Sequence, residues 1–296
     1  SQKYDIQYGF LKNKLIELNI LKDPKDIVLS KRITYKIDDK YFSKINDNKK
    51  SYWLGWMYSD GYVHRDDPIF GIGISRRDEG VLLDFRKDLK TNRNIFRFDK
   101  FLEGGKKDRY PFSRFSFSNK NIYTDLIKSG VIPNKTNKVT FPDGSVIPQK
   151  YVPGFLLGYF EGDGSFSTST RKNSNSQRPF FDIIGTKELC QEYGKQLIKY
   201  LNIRVDSVVL KKEKRSKENV WILRVSSVLS ILTVMNFLYT CGVKSKMKRK
   251  LDKFINFCKW VDKNPKRKYS IRGKIGYMNR YGDDQNEILK IISKYV

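Results

Sequence analysis

The chain has 296 residues, 39% of them apolar and 14% aromatic, enough to bury one large core or two smaller ones. Lys and Arg number 59 against 32 acids, a net charge of +27, and an excess so far beyond the needs of solubility asks for a polyanionic partner. No apolar run reaches the length of a membrane span and the N-terminal SQKYDIQYGF has no apolar signal core, so neither membrane insertion nor secretion is expected.

Cys190, Cys241 and Cys258 are far apart and odd in number, and His64 is the only histidine. This argues against a disulfide framework, a zinc site and a Cys/His nucleophile. The positive charge is spread along the chain with aromatics interleaved, which favours nucleic acid over anionic lipid. The competing reading is a basic binder with no chemistry.

In chain order, residues 1–50 form an N-terminal extension. Within it 5–19 is helix-like and 26–41 irregular, with a basic step at Lys31-Arg32 that suggests an additional DNA-contacting segment. Residues 51–135 then set out a plan: YWLGWMYSDGY (52–62), a hairpin from 62–65 and 69–75 around Asp66-Asp67-Pro68, and an amphipathic helix at 78–90. A second hairpin follows from 94–101 and 111–118, then a helix at 121–129 stopped by Gly130-Val131. Residues 136–152, with Phe141-Pro142-Asp143-Gly144 and Pro148, are a linker.

Residues 153–261 repeat the plan. FLLGYFEGDGS (155–165) leads to strands at 165–171 and 180–185, a helix at 187–201, strands at 204–211 and 219–226, and a helix at 228–241 before Gly242-Val243. A basic amphipathic helix is expected over 244–260, and 262–296 is a basic tail. The fold class is therefore α+β, a pseudo-symmetric pair of αββαββα halves.

Both opening stretches end an apolar run with Asp-Gly, and both carry small residues four apart on one helix face: Gly55 with Ser59, and Gly158 with Gly162. Helical glycine costs about 1 kcal/mol relative to alanine, and close approach of the two helices along those faces would compensate. Parallel packing would bring Asp60 and Asp163 together at helix C-termini, where the macrodipole and the like charge both disfavour them. A hard divalent cation resolves the conflict, because Mg²⁺ takes one or two carboxylates together with waters and phosphate oxygens. Such a site on a basic surface is equipped for phosphodiester hydrolysis.

WLGWMYSDG (53–61) and LLGYFEGDG (156–164) resemble the nine-position motif of the LAGLIDADG homing endonuclease family in its single-chain, two-motif form. The resemblance covers roughly 52–260, and the motif's penultimate acid falls on Asp60 and Asp163. Tyr58 and Glu161 occupy a position where the family often has an acid that is not the metal ligand. The resemblance implies two four-stranded antiparallel sheets forming a DNA-binding saddle, with the motif helices at the interface of the halves. It also implies double-strand cleavage with Mg²⁺ (or Mn²⁺), short 3′ overhangs and intron mobility. The expected enzyme is an intracellular monomer, of a bacterial or phage cytoplasm or an organelle, acting on a long, weakly palindromic duplex. An RNA-binding intron maturase and a non-catalytic DNA-binding regulator are alternatives on the same scaffold.

The family commonly adds a lysine from each half, and Lys135 and Lys246, or else Lys244, hold similar places after the two Gly-Val steps. Strand alternation supplies candidate DNA contacts. With Phe96, Phe98, Phe115 and Phe117 assigned to the core, Arg97, Arg114 and Ser116 face outward; with Trp221, Leu223 and Val225 in the core, Arg224 faces outward beside Lys211. Ser75, Arg76 and Arg171, at strand ends, join this set, and Gly71 and Gly73 are expected to leave room for backbone approach.

Overall fold

The first motif helix begins where Asp47 caps it, the carboxylate accepting the Lys50 N–H at 2.7 Å. In the computed structural model, which describes residues 14–15, 35–101, 109–170, 177–201, 208–212, 219–244 and 247–263, this helix is α1 (Asn48–Tyr58). The chain divides into two units, Ser1–Lys36 and Ile37–Val296, and the elements below belong to the second. Tyr41, Phe42 and Ile45 are buried, so the approach to α1 is part of that unit's core.

After α1 come β1 (Gly61–Val63), β2 (Ile69–Ser75), α2 (Gly80–Asp88), β3 (Phe96–Phe101), β4 (Arg109–Ser118) and α3 (Lys120–Lys128). The second half follows as α4 (Val152–Asp163), β5 (Gly164–Thr170), β6 (Gln177–Gly185), α5 (Lys187–Leu201), β7 (Val208–Lys212), β8 (Trp221–Val225) and α6 (Val228–Tyr239). A further helix, α7 (Lys248–Lys263), completes the described residues. The strand orders are β1-β2-β4-β3 and β5-β6-β8-β7, antiparallel throughout. The expected αββαββα repeat is therefore present twice. No described helix is long and apolar enough to cross a membrane.

Local chemistry explains the boundaries. Asn119 caps α3 through the Ile122 N–H at 3.0 Å. Gly130 ends it in the left-handed region, φ +90°, where the Gly130 N–H reaches the Ile127 carbonyl and the Val131 N–H the Leu126 carbonyl, the Schellman pattern. Pro153 sits in the first turn of α4, where its missing N–H has no helical partner to lose.

Each sheet packs one face against helices. Phe85 of α2 meets Phe115 at 5.5 Å, edge to face, and Phe160 of α4 stacks on Phe181 at 4.8 Å. The two motif helices lie at the centre: α1 is buried from Ser51 through Tyr58, and α4 from Val152 through Glu161. A helix buried all round has no polar face to spare, which accounts for the continuous apolar runs.

The contact between them is backbone against backbone. A Cβ on Gly154 would collide with the Asn48 carbonyl, one on Gly158 with the Tyr52 carbonyl, and one on Gly162 with the Ser59 hydroxyl; on the other side Gly55 lies against Phe155 and Tyr159 backbone. Ascending positions of one helix meet ascending positions of the other, so the pair is parallel. Gly55, Ser59, Gly158 and Gly162 all lie in this interface, as their spacing predicts.

Gly158→Ala should lower stability by about 1–3 kcal/mol, the usual cost of overpacking a core, although alanine is the better helix former. Gly144→Ala, where nothing lies within 4 Å of the added carbon, is the control expected to leave the denaturation midpoint unchanged.

Candidate functional site

Asp60 follows Ser59, the C-cap of α1, and precedes β1; Asp163 is the last residue of α4 and precedes β5. With Gly162 against Ser59, the two acids emerge at the same end of the pair. Both residues are exposed to solvent, yet protein surrounds their carboxyls closely enough to reduce their hydration. The Asp163 carboxyl is pushed up to about 6, chiefly by withdrawal from water and then by the charge of Asp60, with Lys135 and Lys250 opposing. Asp60 is raised for the same first reason; Lys250 and Lys135 oppose it and Asp78 adds to it.

A lysine from each half lies at these helix ends. Lys135, in a 3-10 turn entered through the left-handed Asn134, donates from Nζ to the Ser59 carbonyl. Lys250, in the first turn of α7, is buried, and its Nζ donates to the carbonyls of Phe160 at 2.7 Å, Glu161 at 2.7 Å, Gly162 at 3.2 Å and Gly164 at 2.5 Å. A helix C-terminus leaves carbonyls unpaired and carries the negative end of the dipole. Each ammonium therefore fills a position where positive charge is wanted. Burial lowers both lysines, Lys250 to about 8, and the nearby carboxylates oppose the shift.

Tyr58 and Glu161, equivalent positions of the two motif copies, anchor the segments that carry these lysines. The Tyr58 hydroxyl donates to the Ser129 carbonyl at 2.5 Å, just before the Gly-Val turn that leads to Lys135. Glu161 is fully buried; Oε2 accepts the Tyr52 hydroxyl at 2.6 Å and Oε1 the Met247 N–H at 2.8 Å, one residue before α7 begins. Those bonds, at the positive end of α7, are what make a buried carboxylate tolerable.

Lys246 lies outside the described residues, and Lys244 is exposed. Sequence reasoning passed over Lys250. A signal was present: Met247, just before α7, and Phe254, Phe257, Cys258 and Val261 within it form one buried stripe, and Lys250 falls on that stripe at helical spacing, where an ordinary surface lysine would not.

Strand register corrects part of the expected DNA-facing set. Phe96 pairs with Arg114, Phe98 with Phe112 and Arg97 with Ser113, and paired residues share a face. Phe96 and Phe98 therefore lie on the face away from Phe115 and Phe117, Phe96 being exposed. Arg97 lies on the helix-covered face, where Nε and Nη2 bind Glu79 of the turn before α2, at 2.8 Å and 2.6 Å. Arg114, Ser116 and Ser75 do share the open face, with Arg114 over the Phe98 ring at 5.4 Å. Gly71 and Gly73 share it too, but the space above them is filled by the rings of Tyr62 and Phe112.

Arg76, past the end of β2, donates to the Phe98 carbonyl at 3.2 Å; Arg171 lies outside the described residues. In the second sheet Arg224, Lys211 and Val209 share the open face, with Trp221, Leu223 and Val225 on the other, as alternation predicts.

The donor set at the helix ends is two carboxylates, and no group of three or more His, Cys, Asp or Glu occurs among the described residues. Two adjoining carboxylates that hold their protons more tightly than usual suit a hard divalent cation that keeps waters and takes phosphate oxygens. They do not suit a soft or tetrahedral metal.

No family model matches the sequence, and no curated protein matches it. Among solved structures the chain is similar to the meganuclease I-SmaMI bound to uncleaveable DNA, at 13% identity and TM-score 0.48, over 82% of this chain and 96% of that one. It is also similar to the LAGLIDADG homing endonuclease I-GzeII in complex with its DNA target, at 12% and 0.48 over 82% and 97%. A third is the homing endonuclease I-WcaI bound to its DNA recognition sequence, at 15% and 0.48 over 78% and 98%. Likeness of this degree leaves the function to rest on the site's own residues.

Two outcomes follow from the site's electrostatics. Folding raises the Asp163 proton affinity, so the native state holds that proton where the unfolded chain has released it. Ionising the group costs stability, and the cost sets in as pH rises from about 4, the unfolded value, to about 6. In EDTA, Asp163→Asn should melt above the parent at pH 7 and converge with it near pH 4; a gap constant with pH would contradict this. Glu161→Gln, which leaves one buried donor without an acceptor, should cost about 1–3 kcal/mol in chemical denaturation.

Proposed function

We propose that the protein is a metal-dependent, site-specific DNA endonuclease of the LAGLIDADG type that cuts both strands of a long, weakly palindromic duplex and leaves short 3′ overhangs. The observation that carries this reading is the pair of carboxylates at the parallel helix ends, each half backing its own with a lysine bonded to the helix-end carbonyls, Lys135 half-buried and Lys250 buried. A double-strand cut needs two hydrolytic centres related by the pseudo-symmetry of the duplex. A single chain with two copies of one plan supplies them.

Asp60 and Asp163 would hold Mg²⁺ or Mn²⁺. When bound, such a cation polarises the phosphoryl group and lowers the pKa of a coordinated water. Lys135 and Lys250 keep positive charge beside the carboxylates and offset charge that develops on the phosphate; the Lys250 ammonium does so through its field alone, its N–H donors being engaged by helix-end carbonyls. Arg114 and Ser116 on one open sheet face, and Arg224 and Lys211 on the other, are available to duplex DNA, whose major groove admits a two-stranded ribbon. The net charge of +27 supports tight, salt-sensitive association with the backbone. One chain suffices, so the acting species is a monomer with internal pseudo-twofold symmetry.

A target is first selected by cleavage from a random duplex library. On that target Asp60→Asn and Asp163→Asn should each reduce cleavage by at least about a hundredfold, as loss of a metal ligand implies. Their DNA affinity should be kept or improved, because a negative charge near the phosphates is gone. Full cleavage by either variant refutes the assignment.

A further inference from the structure

On the open face of the second sheet, Arg224 of β8 is clamped by Asp182 of the neighbouring strand β6. Nε donates to Oδ1 at 2.7 Å and Nη2 to Oδ2 at 2.5 Å, across a directly paired register position. The guanidinium also lies over the Phe180 ring, 4.6 Å from its centroid, with Phe180 two residues before Asp182 on the same face. Asp182 is buried, at 7% exposed, whereas the arginine side chain keeps 30% of its surface in solvent. The clamp is thus covered and the tip open.

The pairing has a chemical consequence. A guanidinium has five N–H donors in one plane. The carboxylate takes the side edge, Nε with one Nη2 hydrogen, and the ring fixes the plane. Left over is the end edge, one Nη1 and one Nη2 hydrogen projecting in parallel, the pattern that matches O6 and N7 of guanine in the major groove. Most of the rotamer entropy that an arginine loses on binding has already been given up in the free protein. Arg224 sits on an interior strand, in the order β5-β6-β8-β7, with exposed Val209 directly paired to it and exposed Ile184 two residues beyond Asp182. Apolar neighbours of that kind suit base edges and thymine methyls better than phosphates. Arg97, the one arginine of the first sheet bound side-on to an acid at both Nε and Nη2 among the described residues, is turned to the helix side.

We propose that Arg224, held by Asp182 and Phe180, reads a single guanine in the half-site bound by the second sheet, with Asp182 as its positioning residue. The proposal rests on the reading of the protein as a site-specific DNA-binding enzyme.

The full chain, without divalent cation, is used to select duplexes from a random library, and single positions of the winner are then changed. The wild type should enrich one guanine, in the half bound by the second sheet, whose replacement by 7-deazaguanine weakens binding by roughly ten- to hundredfold. In Arg224→Ala the preference at that position alone should vanish, and 7-deazaguanine there should have no further effect. Arg224→Lys, which keeps the charge and loses the fork, should retain affinity for unrelated duplexes but not the guanine preference. Asp182→Asn should weaken the preference several-fold while leaving binding to unrelated duplexes equal or tighter.

A uniform loss of affinity in Arg224→Ala with every positional preference intact would assign the side chain to phosphate and overturn the proposal alone. So would a fall in melting temperature for Asp182→Asn with the preference unchanged, which marks a structural ion pair. Failure of the wild type to enrich any sequence would instead overturn the reading on which the proposal rests, and the proposal with it.

Discussion

The backbone contact between α1 and α4 is the constraint on which the rest depends. Glycines stand where the two helices would otherwise hold side chains, and carbonyls of one helix fill the space in front of the other's Cα atoms. Packing this close fixes the register of the pair, because a shift by one residue puts a side chain where there is room for none. Parallel orientation and fixed register together decide that Asp60 and Asp163 leave the pair at the same end. Every electrostatic property of the site follows from that.

Two carboxylates at the negative ends of two helices are unfavourable until something positive is added. The chain adds Lys135 and Lys250, each delivered by a segment outside the motif and each bonded to carbonyls that the helix end leaves open. The two halves achieve this with different chemistry. In the first, a tyrosine hydroxyl reaches a carbonyl at the end of α3; in the second, a buried glutamate accepts the backbone N–H that precedes α7. Divergence between the copies is therefore tolerated where the task is to hold a segment in place. It is absent at the acids.

The open sheet faces show the same combination of one plan and separate detail. Strand order and pairing agree between the halves, yet the first sheet covers its central strands with the rings of Tyr62, Phe98 and Phe112 while the second presents serines along β5 and the clamped Arg224. Under the proposed function, unlike half-sites would call for such a shared frame with unlike faces.

Elements and their order were legible in the sequence because their signals are local. Alternation marks a strand, Gly-Val marks a helix stop, and the repeat doubled each signal. Phase between strands was not legible. Phe96 and Phe98 alternate as well as Phe115 and Phe117 do, but only the pairing of Phe96 with Arg114 tells which face of β3 continues which face of β4. Lys250 was hidden for a related reason: among 59 Lys and Arg, its role depends on the docking of α7, a long-range event anchored by Glu161.

By itself, then, the sequence determined two αββαββα copies, a small-residue face on each motif helix and an acid at the end of each, since spacing along one chain suffices for periodicity and for small residues on a helix face. Only the tertiary structure decided the parallel orientation of the motif helices, which lysine of the second half meets those acids, and that Arg97 lies on the helix side of its sheet while Arg224 is clamped on the open face. Those outcomes depend on which residues of distant segments share a face, and no one-dimensional pattern carries that information.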